Sequence, residues 1–162
     1  SGATPKGGRD SYLGGNIALI RSQNVLDFSF SKLGLAYINE VQAEKLSNVE
    51  VYEKDVLLNI TGDSVARVCN NVLPARVNQH VAIIRGNDKV DYRYLLYYLQ
   101  YIKPQLLSLS QGGATRNALT KKMIEELEVK MPSKGIQKEI VSILYALDSK
   151  IELNRRINDN LN

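Results

Sequence analysis

The chain has 162 residues, of which 44% are hydrophobic and 23% charged, a composition typical of a globular domain with a core and not of a disordered chain. No apolar run approaches the roughly eighteen residues that span a membrane, and no signal peptide is visible, so we expect no membrane partner. The net charge of +4 is a mild basic bias, which fits an acidic partner such as DNA without requiring one.

Residues 1–15 are rich in glycine and other turn formers and include Lys6 and Arg9. Glycines permit a close approach of the backbone to a ligand, and the two cations are suited to phosphates. No Gly-Lys-Ser/Thr sequence ends the loop, so it is not a nucleotide-binding P-loop. The charge distribution supports a phosphate-facing role, because the basic excess lies in residues 1–30 (three basic against two acidic) and 91–134 (seven against four).

Apolar stretches separated by turn residues predict an early set of strands. Strands are predicted over 17–20, 55–60, 64–69 and 78–85, with a short helix near 40–46. The two middle strands are predicted to form a hairpin. The first strand runs into Ser22 and Gln23, whose side chains either reach base edges or form a solvated turn.

Cys69 and His80 are the only residues of their types in the chain. One cysteine excludes a disulfide framework within the chain, which fits a reducing cytoplasm, and we interpret Cys69 as a small buried apolar residue. Without a second histidine or a cysteine at ligand spacing, we interpret His80 as a structural residue rather than a metal ligand.

Residues 91–109 predict one helix with Asp91 as its N-cap. Its apolar face is predicted to consist of Leu95, Leu99, Ile102 and Leu106. Four tyrosines lie beside that face, and they are Tyr94, Tyr97, Tyr98 and Tyr101. We interpret these tyrosines as core residues rather than as platforms for stacked bases.

The loop over 110–117 carries side chains suited to reading bases, namely Gln111, Thr115, Arg116 and Asn117. Arginine pairs with guanine, and glutamine or asparagine pairs with adenine. Thr120 predicts the N-cap of a short helix that begins at Lys121. Residues 127–131 alternate like an edge strand, and Pro132 closes the domain.

Ser133 predicts the N-cap of a long helix that runs to Leu161, about 43 Å at 1.5 Å per residue. A seam with alternating steps of four and three consists of Ile140, Leu144, Leu147, Ile151, Asn154, Asn158 and Leu161. Such a seam favours a partner helix, and its asparagines favour one register and one partner number. The alternative is a terminal helix packed on its own domain. The element order predicts an α+β domain with a mixed β-sheet over residues 1–132 and a spacer or dimerisation helix over 133–162.

Signatures of catalysis are missing from the sequence. It contains no Asn/Asp-Pro-Pro-aromatic methylation loop, no Gly-x-Gly cofactor loop and no Ser-His-Asp or Cys-His arrangement. Glu125 and Glu126 are adjacent on the short helix, and we interpret them as a solvated face rather than as nuclease carboxylates. The residues alone therefore predict a binding module with a dimerisation or docking arm.

Several short motifs, taken in order, carry a family resemblance. They are Ser1 to Pro5, Gly14 to Ile20, Asp55 to Leu58 with Gly62, Asn78 to Val81, Gly113 to Thr115 with Leu119, and Met131-Pro132 through Gln137, Ile140, Leu147-Asp148 and Lys150-Ile151 to the asparagine-rich end. Over nearly the whole chain they resemble the target recognition domain and long helix of type I restriction–modification specificity subunits. Each motif is weak alone, and their order and spacing make the resemblance specific.

The chain departs from the family pattern at two local positions and in its extent. Ile136 stands where the family usually has Glu, and Ala18-Leu19 replace the usual aromatic residue. Family subunits carry two recognition domains and two long helices, whereas this chain holds one of each and does not begin with Met. The resemblance therefore implies a half subunit or a fragment.

The resemblance implies that the globular domain reads one half of a split double-stranded DNA target through the major groove. It implies that the long helix pairs as an antiparallel coiled coil with the helix of a second specificity half. Cytoplasmic partner chains would perform the chemistry: methyltransferase subunits with S-adenosylmethionine, and restriction/translocase subunits with ATP and Mg. This chain itself would hold no catalytic residue, metal or cofactor.

Base contacts do not transfer between family members, so the DNA-binding candidates rest on loop position and chemistry alone. They are Lys6, Arg9, Ser22, Gln23, Gln111, Thr115, Arg116, Asn117 and Lys121. Two other interpretations stay open. One is the recognition domain of a fused restriction–methylation enzyme, and the other is a protein–protein scaffold with an oligomerising helix.

Overall fold

The computed structural model describes residues 2, 12, 14–112 and 117–161, and these form an α+β fold. The strands are β1 (Ile17–Ile20), β2 (Ala36–Ile38), β3 (Glu50–Val51), β4 (Val56–Asn59), β5 (Val68–Asn70), β6 (Ala75–Val77) and β7 (Val81–Ile84). The α-helices are α1 (Glu40–Glu44), α2 (Tyr92–Tyr101), α3 (Lys103–Gln111), α4 (Lys121–Glu125) and α5 (Lys134–Leu161). The predicted fold class, with its long C-terminal helix, is confirmed.

The strands form two small sheets. The first has the order β2-β1-β6-β3 and is mixed, because β1 runs parallel to β6 and antiparallel to β2. The second has the order β5-β4-β7 and is antiparallel throughout. The predicted hairpin is the β4–β5 pair, in which Leu57 lies opposite Cys69. The sequence did not predict β3 and β6, since two or three residues are too few to show a period.

The second sheet is the middle layer of the core. Leu57 and Cys69 belong to the cluster that packs on the first sheet. Val56 and Leu58, which point to the opposite face of β4, pack in the cluster that includes Leu99 of α2 and other helix residues. Both faces of β4 are therefore covered, which explains why its first three residues, Val56 to Leu58, are all apolar rather than alternating.

The helix predicted over 91–109 is in fact two helices. Asp91 is the N-cap as predicted, because its Oδ1 accepts from Arg93 N at 2.8 Å. The break is at Ile102, the N-cap of α3, and Pro104 is the second residue of α3. Proline lacks the N–H that would continue the hydrogen-bond ladder of α2. The predicted apolar face is buried and consists of Leu95, Leu99, Ile102 and Leu106.

Residues 127–131, all of which the structure describes, belong to no strand, so the predicted edge strand is wrong. Tyrosine hydroxyls hold this extended segment instead: Tyr98 Oη donates to Glu128 O at 3.1 Å, and Tyr94 Oη donates to Lys130 O at 2.6 Å. Tyr94 is buried, in agreement with the core interpretation. Tyr101 is 80% exposed and does not fit it.

Two described glycines of the first fifteen residues approach the chain's own backbone, where the sequence suggested approach to a ligand. A Cβ at Gly2 would collide with the Val77 carbonyl, and one at Gly15 would collide with the Ile38 carbonyl. These glycines therefore let the N-terminal segment lie close to the ends of β6 and β2. Most of the predicted loop lies outside the described residues.

Helix α5 has 28 residues and a length of about 42 Å. Ser133 Oγ accepts from Ile136 N at 3.5 Å, a long bond at the predicted N-cap position. The first half of α5 packs against α2, with Gln137 and Val141 buried. Side chains from Ile151 to Asp159 are all exposed. Among the described residues, no helix has the length and apolarity to cross a membrane.

Candidate nucleic-acid interface

Turns from separate parts of the chain meet where β1, β4 and β6 end and β7 begins. They comprise residues 21–24, 61–62, 78–80 and 117–118, and we call them the polar edge. Backbone hydrogen bonds join them: Ile60 N donates to His80 O at 3.0 Å, Leu119 N donates to Ile60 O at 2.8 Å and Asn78 N donates to Ile20 O at 3.0 Å. The sheets therefore bring together loops that lie far apart in sequence.

Buried asparagines fix the turn that contains Ser22 and Gln23. Asn59 is fully buried, and its Nδ2 donates to Ser22 O at 2.9 Å. Asn24 is also fully buried and donates to Ser31 O at 3.0 Å. Gln23 is exposed, but its Nε2 donates to the Gly34 carbonyl at 3.1 Å, so part of its amide already has a partner within the fold.

The structure places Asn117 at the polar edge and Gln111 next to it. The carbonyl of Asn117 accepts from Gly62 N at 2.9 Å, and its backbone is left-handed, with φ of 57°. Gln111 is exposed at the end of α3, one residue after Ser110, whose carbonyl accepts from Ala118 N at 3.3 Å. Both predicted side chains therefore remain available to a partner.

Lys121 opens α4, and its side chain is 86% exposed. Its Nζ lies 3.4 Å from Glu125 Oε1, in an exposed pair one helical turn apart that contributes little to stability. Glu125 and Glu126 both face solvent, in agreement with their interpretation as a solvated face.

Four candidates, Lys6, Arg9, Thr115 and Arg116, lie outside the described residues. Described residues on either side of them lie at or beside the polar edge. Gly2 N donates to Asn78 O at 3.1 Å, and the Arg21 guanidinium lies 5.3 Å from the centre of the Tyr12 ring.

His80 has a protein partner at each ring nitrogen. Thr61 Oγ1 lies 2.6 Å from Nδ1, and Gln79 Nε2 lies 3.0 Å from Nε2. No group of three potential ligands among the described residues could hold a metal ion. These contacts favour the structural interpretation of His80. Burial raises the pKa of the Cys69 thiol to about 12, which favours its interpretation as an inert core residue.

The opposite end of the second sheet forms a basic crease of about 460 Å³ between the domain and α5. Its lining has one more cation than carboxylates: Lys54, Arg85, Lys134 and Lys138 against Glu53, Asp55 and Asp91, with Tyr52 and Tyr92 beside them. Arg85 stacks on Tyr52 at 4.6 Å and donates from Nη2 to the buried Asp55 carboxylate at 2.6 Å. That hydrogen bond raises the pKa of Arg85, so its charge is fixed.

Sequence reasoning missed the contacts that fix α5 to the domain. Gln137 is fully buried: its Nε2 donates to Lys89 O at 3.0 Å and Pro132 O at 2.8 Å, and its Oε1 accepts from Asp91 N at 2.9 Å. Further along, Tyr97 Oη donates to Asp148 Oδ2 at 2.6 Å. Burial and this carboxylate raise the pKa of Tyr97, so its hydroxyl stays a donor.

A second stripe in the sequence could have revealed this docking face. Gln137, Val141, Leu144 and Asp148 are spaced by four, three and four, as in a heptad. Because Gln137 and Asp148 at its two ends are polar, this stripe does not stand out as a pattern of apolar residues. At 3.6 residues per turn it lies about 80° around the helix from the predicted seam.

The family described as "Type I restriction modification DNA specificity domain" matches residues 2–162. The chain belongs to this family. The predicted resemblance is thereby confirmed. Relatives from Methanocaldococcus jannaschii agree: the chain is 33% identical over 129 residues to a "Putative type I restriction enzyme MjaX specificity subunit" and 25% identical over 161 residues to a "Type I restriction enzyme MjaIX specificity subunit".

These matches cover 78% and 98% of this chain but only 29% and 37% of the relatives, so the chain spans about a third of their length. Solved structures share the fold of this specificity domain. An HsdS subunit from Thermoanaerobacter tengcongensis superposes with a TM-score of 0.71 at 19% identity, covering 96% of this chain and 36% of that one. A chain of a type I R-M system, solved in a study of complex assembly and conformational transition, gives a TM-score of 0.74 at 20% identity, covering 96% and 37%.

Proposed function

We propose that this specificity domain reads one half of an interrupted double-stranded DNA target and directs catalytic partner chains to it. Residues 1–132 form the recognition unit, and the polar edge contacts base edges in the major groove. One observation carries the proposal. The exposed amides of Gln111 and Asn117 lie at or next to the polar edge, and so do the described residues that flank the two loops with cationic side chains, 1–15 and 110–117. Amide and guanidinium groups are the chemistry of base readout, and cations bind the backbone phosphates.

The second part of the proposal concerns the predicted spacer helix over residues 133–162, which comprises α5 and its N-cap Ser133. It pairs antiparallel with the helix of a second specificity half and sets the distance between the two half-sites. Leu147 and Ile151 of the seam are 53% and 50% exposed, and a row of exposed apolar side chains on one helix face is suited to a partner helix. Ile140 and Leu144 are half-buried against the chain's own domain, so pairing would involve mainly the distal half.

Catalysis belongs to other chains in this proposal. Methyltransferase subunits would use S-adenosylmethionine, restriction/translocase subunits would use ATP and Mg, and the assembly would act in the cytoplasm. The support is that the curated relatives are named as specificity subunits of type I restriction enzymes. The alternative in which this domain is fused to catalytic segments in one gene is decided by the DNA that flanks its coding region.

The proposal is tested by binding a randomised duplex library in the presence of the methyltransferase partner. We expect an affinity that falls steeply with salt, as phosphate contacts require, and one recovered sequence motif. Arg116→Ala should relax the motif at one position, worth about 1–3 kcal/mol if Arg116 pairs with guanine. Lys121→Ala should weaken all sequences alike, and Lys138→Ala, in the basic crease, is the matched control with no effect. A library recovered without any motif rejects the proposal.

The basic crease favours one further candidate function, the protein–protein scaffold. Lys54, Lys134 and Lys138 all line it together with two tyrosines, a surface suited to an acidic segment of a partner chain. The double substitution Lys134→Glu with Lys138→Glu should abolish capture of such a partner and leave DNA binding intact. Loss of DNA binding instead would place the nucleic acid in the crease.

A further inference from the structure

The junction between the domain and α5 is built unlike an ordinary helix contact, because its centre is a polar side chain. The side-chain amide of Gln137 is fully buried, and its nitrogen and its oxygen both have backbone partners. Those partners come from three places: Lys89 after β7, Asp91 at the N-cap of α2 and Pro132 before α5. One side chain therefore ties the start of α5 to the domain at two backbone points, Lys89 and Asp91, and to the segment just before the helix at Pro132.

A second set of contacts lies further along the helix. Tyr97 of α2 donates to Asp148 of α5 at 2.6 Å, and the Arg93 guanidinium lies 4.9 Å from the centre of the Tyr145 ring. Asp148 is eleven residues beyond Gln137, about 16 Å along the axis. A rod that is held at two separated points has a fixed direction, so α5 leaves the domain at one angle.

The geometry points to Gln137 as a positioning residue: we propose that it fixes the exit angle of α5, with Tyr97 and Asp148 as the second anchor, and thereby the half-site spacing that the protein accepts. This inference rests on the proposed function of α5 as a spacer. The lever is long, because α5 extends about 36 Å from Gln137 to Leu161. A tilt of about 10° at Gln137 moves the distal end by about 6 Å, close to two base-pair steps of roughly 3.4 Å.

The exit angle is measured without DNA, by electron paramagnetic resonance distances between spin labels at Val41→Cys on α1 and Asp159→Cys on α5. Both positions are exposed, and the native Cys69 is buried and escapes labelling. Dilution with unlabelled protein removes distances between chains. We expect one narrow distance distribution for the parent protein, and for Gln137→Met a distribution at least twice as broad or shifted by several ångströms.

Further variants separate positioning from stability. Gln137→Glu keeps the acceptor for Asp91 N but loses the two donors, and it replaces Gln137→Met should that variant fail to fold. Tyr97→Phe removes the second anchor and should broaden the distribution less. Ser149→Ala removes a hydrogen bond within α5, from Oγ to Tyr145 O, and is the control that leaves the distribution unchanged. A folded Gln137 variant with the parent distribution overturns the inference.

The link to spacing is tested on duplexes selected from a random library with the methyltransferase partner present. The parent should recover half-sites at one spacing, and Gln137→Met should accept spacings up to two base pairs longer or shorter with unchanged half-site motifs. If the parent recovers no motif, the proposed function fails, and the label distances still decide the exit angle. If the parent and the variant recover the same single spacing, the inference fails and the proposed function stands.

Discussion

The two halves of α5 carry similar apolar side chains but have different surroundings. In the proximal half, Val141 is buried against α2 and Gln137 is fully enclosed. In the distal half, Ile151, Leu153 and Ile157 are 50%, 57% and 47% exposed. The domain therefore accounts for Gln137 and Val141, whereas Ile143 and Leu147 of the same half are 65% and 53% exposed. The apolar residues of the distal half gain nothing from this chain alone, which is why we assign them to contact with another chain.

The largest expected effect comes from placing charge on the distal seam. The double substitution Leu147→Asp with Ile151→Asp should weaken self-association at least 100-fold, since burying each apolar side chain fully is worth about 1.5–3 kcal/mol. Both residues are exposed, so the domain should stay folded, and its unfolding temperature should fall only by what self-association contributes at the concentration used. Sedimentation equilibrium at micromolar concentrations measures the association, and circular dichroism measures unfolding.

Ser142→Asp is the control for this experiment, because Ser142 is exposed on another face of the same helix. It adds one negative charge, against two in the double substitution, and should leave self-association intact. A parent chain that is monomeric at tens of micromolar would contradict self-pairing and leave pairing with a different helix.

A smaller effect is expected in the proximal half. Val141→Ala should lower the free energy of unfolding by about 1–2 kcal/mol, because two buried methyl groups are lost at about 0.8 kcal/mol each. Urea unfolding on the Leu147→Asp/Ile151→Asp background measures this effect for the monomer alone. Ile143→Ala is the matched control: Ile143 is 65% exposed on the same helix and should cost much less. If both variants lost the same free energy of unfolding, the two faces of the helix would not differ in their packing against the domain.

The smallest effect is expected at Cys69 on removal of the distal half. Cys69 is fully buried between the sheets, so a thiol reagent reaches it only when the domain opens. Deleting residues 150–162 should leave its reaction rate unchanged, because the side chains described in that segment, from Lys150 to Asp159, are all exposed. Faster labelling of the truncated chain would show that the distal half does stabilise the domain.

The same thiol gives the domain a defined pH dependence. Burial raises the pKa of Cys69 from 9.0 to about 12, so the unfolded chain loses this proton first. Its contribution to stability is complete below about pH 9 and is lost as the pH rises towards 12, by up to about 1.4 kcal/mol per pH unit. Cys69→Ala should flatten the fall of unfolding free energy across this range.

Elements with strong local signals were predictable from sequence. The apolar run of β4, the Asp91 cap and the heptads of α5 each carry their information within a few residues. The strand β6, Ala75-Arg76-Val77, does not, because it is short and the partners of its central arginine lie far away in sequence. Arg76 donates to Glu50 at 3.0 Å and to the Ala43 carbonyl at 3.2 Å. The edge strand predicted over 127–131 failed for a related reason, since tyrosines of α2 occupy carbonyls that a strand partner would use.

The candidate site shows the same limit. Loop chemistry suggested Gln111 and Asn117, and the structure brings them to the polar edge beside Ser22 and Gln23. The partner of Gln23 was not predictable, because the Gly34 carbonyl reaches it only through the fold. Gln137 was part of the family resemblance, but its burial was not predicted. The carbonyls of Lys89 and Pro132 that accept from its side chain are brought to it by the fold and leave no periodic pattern in the sequence.

Among the described residues of the loop after α3, Asn117 to Leu119 are anchored through main-chain atoms: Asn117 O, Ala118 N and Leu119 N bind Gly62, Ser110 and Ile60. Every amino acid except proline supplies these atoms, so a new side chain at Gln111 leaves the anchors in place, whereas the left-handed backbone of Asn117 favours asparagine, aspartate or glycine there. The protein can therefore acquire a different preference by substitution in this loop without rebuilding its core. In this architecture the scaffold can therefore be kept while the ligand that it prefers changes.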